Sequence, residues 1–224
     1  MMTATQELPT EYVPRKLEEF YGPAKEVAKR IQKSAAMCMP RGSAASHLLV
    51  GPSGSGKSAL AAFALEAFNV SQWNRHEVFG SDLSKEVVQE LAFGMKLSNL
   101  YGGYRAYWFD EIDRCTKDAR DRLLEIVGEK QPKETLIVAT SNLSITEFDA
   151  LEKTEDAKGR FSSRFQCHHV PGPTAEDIVA LLVRWLPEKD AQNLARTAAM
   201  AEDGSQMPVN VRAVLRDCTT MLQQ

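Results

Sequence analysis

Apolar positions along this chain follow two rhythms. Short unbroken apolar runs alternate with longer stretches in which apolar residues recur every three or four positions. The runs at His47-Leu48-Leu49-Val50, Glu77-Val78-Phe79, Arg105–Phe109, Thr135–Thr140 and Cys167–Val170 read as strands. Between them, residues 15–37 place Val27, Ala28 and Ile31 among Lys and Glu as on an amphipathic helix. Ser58–Phe68, Ser84–Phe93 and Thr116–Glu129 read as further helices. Strands alternating with helices predict a parallel five-stranded sheet flanked by helices, an α/β fold. The polar, acidic stretch 143–159 is expected to be loop with some helix, and the polar residues 1–10 a frayed terminus.

Pro171-Gly172-Pro173 ends the alternation. Beyond it only helical spacing remains, over 174–186, 188–202 and 209–221. Thr174 followed by Glu176 and Asp177 suits a helix start, because carboxylates favour the positive helix end. This break predicts an α/β domain over 1–171 and a small all-α three-helix domain over 172–224.

Composition narrows the class. The 224 residues are 43% hydrophobic and 25% charged, ordinary for a globular domain that needs no disulfide or metal to hold its core. A net charge of −3 leaves no basic excess to advertise nucleic acid, so DNA contact would need a local patch or an assembly. Cys38, Cys115, Cys167 and Cys218 are scattered without a CxxC pair, which fits a reducing cytosol and a cytoplasmic location. No apolar run approaches the length of a membrane span. Trp73, Trp108 and Trp185 are expected in the core or at domain contacts, and His168-His169 in a core or surface role.

The chemistry begins at Gly51-Pro52-Ser53-Gly54-Ser55-Gly56-Lys57-Ser58, which fits G-x-x-x-x-G-K-[ST] between an apolar strand and a helix. Glycines let backbone N–H groups wrap phosphates, and the following helix presents its positive end to the anion. Lys57 is placed to reach the β- and γ-phosphates, and Ser58 to hold Mg²⁺. Further on, Tyr107-Trp108-Phe109-Asp110-Glu111 is an apolar strand ending in two carboxylates. Asp110 suits Mg²⁺, and Glu111 suits orienting or deprotonating an attacking water. Asp113 either joins this group or caps the next helix.

Together these residues resemble the AAA+ class of P-loop ATPases, and the small ATPase subunits of sliding-clamp loaders of the replication factor C type in particular. Tyr12, Pro14, Leu17, Phe20 and Gly22 resemble the family's opening signature, which implies that Tyr12, Val13, Pro14 and Gly22 belong to the adenine pocket. Val13 stands where the family usually has arginine. Gly80-Ser81-Asp82 resembles the turn after the second strand, and Thr140-Ser141-Asn142 the sensor 1 motif, which implies that Asn142 meets the γ-phosphate or the water. Ser163-Arg164-Phe165 resembles the Ser-Arg-Cys motif, which implies that Arg164 acts as an arginine finger in a neighbour's site; Arg160 is a rival. Val209-Asn210-Val211-Arg212 resembles sensor 2, with Arg212 reaching the phosphates from a helical lid.

The resemblance covers about residues 11–221. It implies ATP and Mg²⁺ as cofactors, and other AAA+ subunits, a sliding clamp and primed DNA as partners, with backbone contacts only and no membrane. A helicase loader or replication initiator, or a nucleotide-binding scaffold subunit of a larger ring, are the other readings. Two departures stand out. The stretch between Asn142 and Arg164 carries an acidic insert. The chain also runs out after the lid, where cellular clamp loaders continue into a helical collar, so a stable pentamer would need another subunit. Arg114, Lys117, Arg120, Arg122, Lys130 and Lys133 make a locally basic stretch that either faces DNA or is a solvated face balanced by Asp118, Asp121, Glu125 and Glu129.

Overall fold

The computed structural model describes residues 9–97, 102–128, 130–150, 162–200 and 209–223. Strands β1 (Ala45–Val50), β2 (Arg75–Phe79), β3 (Arg105–Asp110), β4 (Thr135–Ser141) and β5 (Gln166–His169) form one sheet, ordered β2-β3-β4-β1-β5. Every pairing is parallel. Helices α1 (Gly22–Cys38), α2 (Lys57–Ala67), α3 (Lys85–Lys96), α4 (Lys117–Leu124) and α5 (Ile145–Ala150) accompany the strands. Helices α6 (Ala175–Leu182), α7 (Glu188–Ala198) and α8 (Val211–Leu222) follow them.

The period of two within strands builds two separate cores. Leu49, Leu136 and Val138 pack with Val27 and Ile31 of α1 and Leu60 and Phe63 of α2. Leu48, Val50, Ile137 and Ala139 face the other way, toward Val88 of α3 and Leu123 of α4. All residues of β1 and β4 are buried, as central strands covered on both faces require. The edge strand β2 is exposed at Arg75, His76, Glu77 and Phe79. A third core joins Ile178, Leu182, Ala191, Val214 and Cys218 of α6–α8, with Tyr12 and Tyr21 of the N-terminal segment packed against it.

Several elements differ from expectation. The first helix begins at Gly22 rather than residue 15, because Gly22 sits at φ +51 and Pro23 fits the first helical turn. Helix α4 ends at Leu124, five residues early. Ile126 and Val127 remain buried, so apolar spacing continues while the chain turns toward Gly128 at φ +96. Trp73 is 68% exposed rather than in a core, whereas Trp108 packs beside the first core and Trp185 beside the third. Of the basic stretch, Arg120 is buried and donates to the Cys115 carbonyl at 2.9 Å, so it belongs to the structure of α4 and not to a DNA-facing surface.

His168 lies in the core and His169 is exposed. His168 Nε2 is 3.0 Å from His47 Nδ1, a hydrogen bond joining β5 to β1 inside the sheet. Burial holds both imidazoles neutral, with pKa values lowered to about 3 for His47 and about 4 for His168.

Candidate functional site

The site lies at the carboxyl ends of β1, β3 and β4, the position where open parallel sheets bind ligands. The loop leaving β1 turns directly into α2. Gly56 caps that helix at φ +97, and a Cβ added there would meet nothing within 4 Å, so the helix N-terminus opens onto a cradle. The first N–H groups of α2 face this opening without helical partners, which suits an anion.

Lys57 runs back along the loop. Its Nζ donates to the carbonyls of Gly51 and Pro52, both at 2.8 Å, and to Asn142 Oδ1 at 3.0 Å. Burial lowers its pKa, and the neighbouring Asp110, Asp113 and Glu111 carboxylates oppose that shift. Among the described residues the buried Ser55 hydroxyl has no hydrogen-bond partner, so a polar atom at the loop is left for a ligand.

The carboxylates are set by strand register. Pairing of Phe109 with Ala139 brings Asp110 beside Thr140. The Thr140 hydroxyl donates to Asp110 Oδ1 and accepts from the Glu111 N–H at 3.0 Å. Glu111 has φ +52 and ψ +49, a left-handed conformation that costs a residue with a side chain about 1 kcal/mol or more. Its carboxylate accepts from Asn142 Nδ2 at 3.2 Å and pairs with Arg114 at 3.1 Å. Gly80 packs on the Glu111 carbonyl, which an added Cβ would approach to 2.0 Å. Asp113 accepts from the Asn142 N–H at 3.2 Å, and Thr116 caps α4, so Asp113 belongs to the site and is not the helix cap.

Lys57, Asp110, Glu111, Thr140 and Asn142 line a cavity of about 860 Å³, within the range of small-molecule sites, and Asp113 and Arg114 brace it from behind. Of the expected residues, Tyr12, Val13, Pro14, Ser53, Gly54, Ser55, Gly56, Lys57, Ser58, Asp110, Glu111, Asn142 and Arg212 are on its wall. Gly51 and Pro52 stand behind it as acceptors for Lys57. Gly22 is not on the wall. It packs against the Asp177 carboxylate of α6, which comes so close that an added Cβ would fall 2.2 Å from Oδ2. Arg164 is also outside the cavity; it is exposed and donates to the Leu124 carbonyl. Arg160 lies outside the described residues.

Tyr12 is held edge-on to Trp185 with centroids 5.3 Å apart, and the Arg184 guanidinium lies 4.6 Å from its ring centroid. Thr140 and Asn210, which the sequence offers only as members of the two sensor motifs, and Arg114, which it places in the basic stretch, hold the site together. Asn210 also carries a signal of its own, as a polar residue before an apolar helix.

The arrangement fits a nucleoside polyphosphate. The open cradle at Gly56, the buried Lys57 and the orphan Ser55 hydroxyl suit phosphate oxygens. The Ser58 hydroxyl and Asp110 carboxylate offer the hard oxygen ligands that Mg²⁺ requires.

The pattern of the family described as ATPases associated with various cellular activities (AAA) matches residues 47–168, more than half of the chain. The solved structures similar to it include the RuvB Holliday junction branch migration motor of Thermotoga maritima, at 19% identity and a TM-score of 0.68, covering 94% of this chain and 65% of that one. A point variant of the same RuvB aligns at 19% identity and a TM-score of 0.69, covering 94% and 67%. The chain therefore spans about two thirds of those proteins. No curated protein matches it by sequence.

Proposed function

The chain belongs to the AAA family of ATPases, and on that premise we propose that it binds ATP with Mg²⁺ in the cavity between the sheet and the C-terminal helices and hydrolyses it there. The observation that carries this reading is the Asn142 side chain, which touches Lys57 with its oxygen and Glu111 with its nitrogen. One amide thus spaces the phosphate-binding cation from the carboxylate that acts on water.

In this reading the N–H groups of the loop and Lys57 hold the β- and γ-phosphates and offset the charge that develops in transfer. Ser58 and Asp110 would hold Mg²⁺, which would supply charge neutralisation for the phosphates when bound. Thr140 fixes the Asp110 carboxylate, and Glu111 orients a water and accepts its proton. Tyr12, Val13 and Pro14 form the wall for the base, and Arg212 reaches the phosphates from the lid formed by residues 172–224. Arg164, exposed and outside its own cavity, serves as the finger in a neighbouring subunit of a homo- or hetero-oligomer.

The client we propose is a sliding clamp, opened on primed DNA by the ATP-bound assembly in the cytoplasm. The Tyr12–Gly22 signature, the Gly80-Ser81-Asp82 turn and Ser163-Arg164 support it. A second reading, a DNA motor or helicase-loading ring, draws on the likeness to the RuvB branch migration motor. Phosphate-release assays separate them. Clamp loading predicts stimulation of ATPase activity by primed DNA with its cognate clamp. Stimulation by a four-way junction or a hexameric helicase, with none by clamp and primed DNA, would overturn it.

A further inference from the structure

The phosphate loop and the last helix meet through their backbones. The N–H of Val211, first residue of α8, donates to the Gly54 carbonyl at 3.1 Å. The first N–H groups of a helix have no acceptor within it, and here the phosphate loop supplies one. Asn210 precedes it as the cap, its Oδ1 accepting from the Ala213 N–H at 3.2 Å. The same amide lies against Gly54. A Cβ added at Gly54 would fall 2.1 Å from Asn210 Oδ1, 2.4 Å from its Cγ and 2.9 Å from its Nδ2. Gly54 stands at φ +77, so both the backbone and the space there demand glycine.

The peptide that offers the Gly54 carbonyl to Val211 also carries the Ser55 N–H. That group donates to the Pro52 carbonyl at 3.3 Å. A peptide is planar, so the two bonds hold one plane from opposite ends. This plane sits in the middle of the phosphate loop, one residue from the cradle at Gly56.

We propose that Asn210 is a positioning residue: with Val211 it clasps Gly54, and so sets the orientation of the phosphate loop and the placement of Arg212 next along α8. The inference rests on the nucleotide-site reading above. It gives the C-terminal helices a direct mechanical hold on the loop that does not depend on the charge of Arg212. A change of loop conformation on binding phosphate is then transmitted to α8 through a carbonyl and an amide. Asn210 thus has two tasks, capping α8 and clasping Gly54, and they are separable. Serine caps a helix as well as asparagine does, but is too short to cover Gly54.

Equilibrium binding of N-methylanthraniloyl-ADP, followed by fluorescence on the full chain without turnover, tests the clasp. Asn210→Ser should leave the thermal midpoint without nucleotide unchanged, yet weaken the probe about fivefold, because the amide no longer packs over Gly54. Gly54→Ala should weaken binding strongly in the parent, and by at least about fivefold less in an Asn210→Ala background, where the overlapping amide is gone. Equal costs of Gly54→Ala in the two backgrounds, or parental binding by Asn210→Ser, would overturn the clasp. If Gly54→Ala does not fold, the Asn210→Ser result decides alone. A parent that fails to bind the probe removes the nucleotide-site reading, and the clasp with it. A parent that binds, with additive costs, removes only the clasp.

Discussion

The Asn142 amide nitrogen donates to the Glu111 carboxylate across 3.2 Å, joining the end of β4 to the residue that follows β3. Glu111 is thereby held in place while its backbone occupies a left-handed conformation. Replacing the carboxylate by an amide keeps size and contact but removes the base. We predict that Glu111→Gln binds ATP like the parent and hydrolyses it at least about 100-fold more slowly, the usual range for loss of a general base. Parental turnover by Glu111→Gln would falsify the assignment.

Lys57→Ala removes three hydrogen bonds at once, two of them to the loop's own carbonyls. Nucleotide affinity should fall by about tenfold or more, as charge-assisted bonds of this kind are worth about 1.5–3 kcal/mol. Titration calorimetry with ADP checks this. Unchanged affinity would mean that phosphate is held elsewhere.

Arg164 is exposed and does not line its own cavity, so its removal should cost activity without costing binding. Arg164→Ala and Lys57→Ala should each be inactive alone and regain part of the parental ATPase rate when mixed. That recovery requires sites shared between subunits. Light scattering with a non-hydrolysable ATP analogue should show the matching increase in mass. No recovery on mixing, in proteins that still associate, would remove the trans role.

The His47–His168 pair makes stability depend on pH. Both imidazoles have folded pKa values below the ordinary 6.5, near 3 and 4. The unfolded chain therefore takes up protons first as pH falls. The pair's contribution is complete above about pH 6.5 and declines as pH drops toward 4, at up to about 1.4 kcal/mol per pH unit for each ring. Thermal midpoints of the parent should fall over this window. Replacing both residues, His47→Leu with His168→Leu, should flatten that dependence; an equally steep fall would place its origin in other groups.

Arg120 and Lys117 separate structure from surface in the basic stretch. Arg120 is buried and bonded to Cys115, so Arg120→Ala should lower stability by about 2–3 kcal/mol in urea unfolding. Lys117 is exposed, and Lys117→Ala should leave stability within about 0.5 kcal/mol. If DNA binds this face, Lys117→Ala should also reduce the salt dependence of binding.

The parts of the site that could be read from the sequence are those whose chemistry is local. The loop from Gly51 to Ser58 combines its glycines, lysine and hydroxyl in eight consecutive positions, and Asp110-Glu111 ends an unmistakable apolar strand. The alternation of strands and helices was legible for the same reason, because periodicity is a neighbour-to-neighbour property. What escaped depends on residues distant in the chain. Thr140 acquires its role only through β3–β4 register, and Gly22 leaves the cavity wall because Asp177 comes to lie against it. Arg120 looked like surface charge because a helix pattern does not reveal which polar residue the neighbouring turn will enclose. The end of α4 was missed because Ile126 and Val127 keep an apolar rhythm through a turn.

Strand β5 is only four residues long, and its two ends meet different parts of the machinery. Arg164 lies two residues before it. Just after it, the Val170 N–H is bonded to Val50 at 2.8 Å, and the Val170 carbonyl sits where a side chain on Gly51 would have to be. The strand spans only about 13 Å at the usual rise per residue. On the proposed role of Arg164, a pull exerted by a neighbour's nucleotide would arrive at the root of this subunit's own phosphate loop with almost no slack between. Successive sites in such a ring would then be geared to one another, each feeling the state of the next through a single short rod.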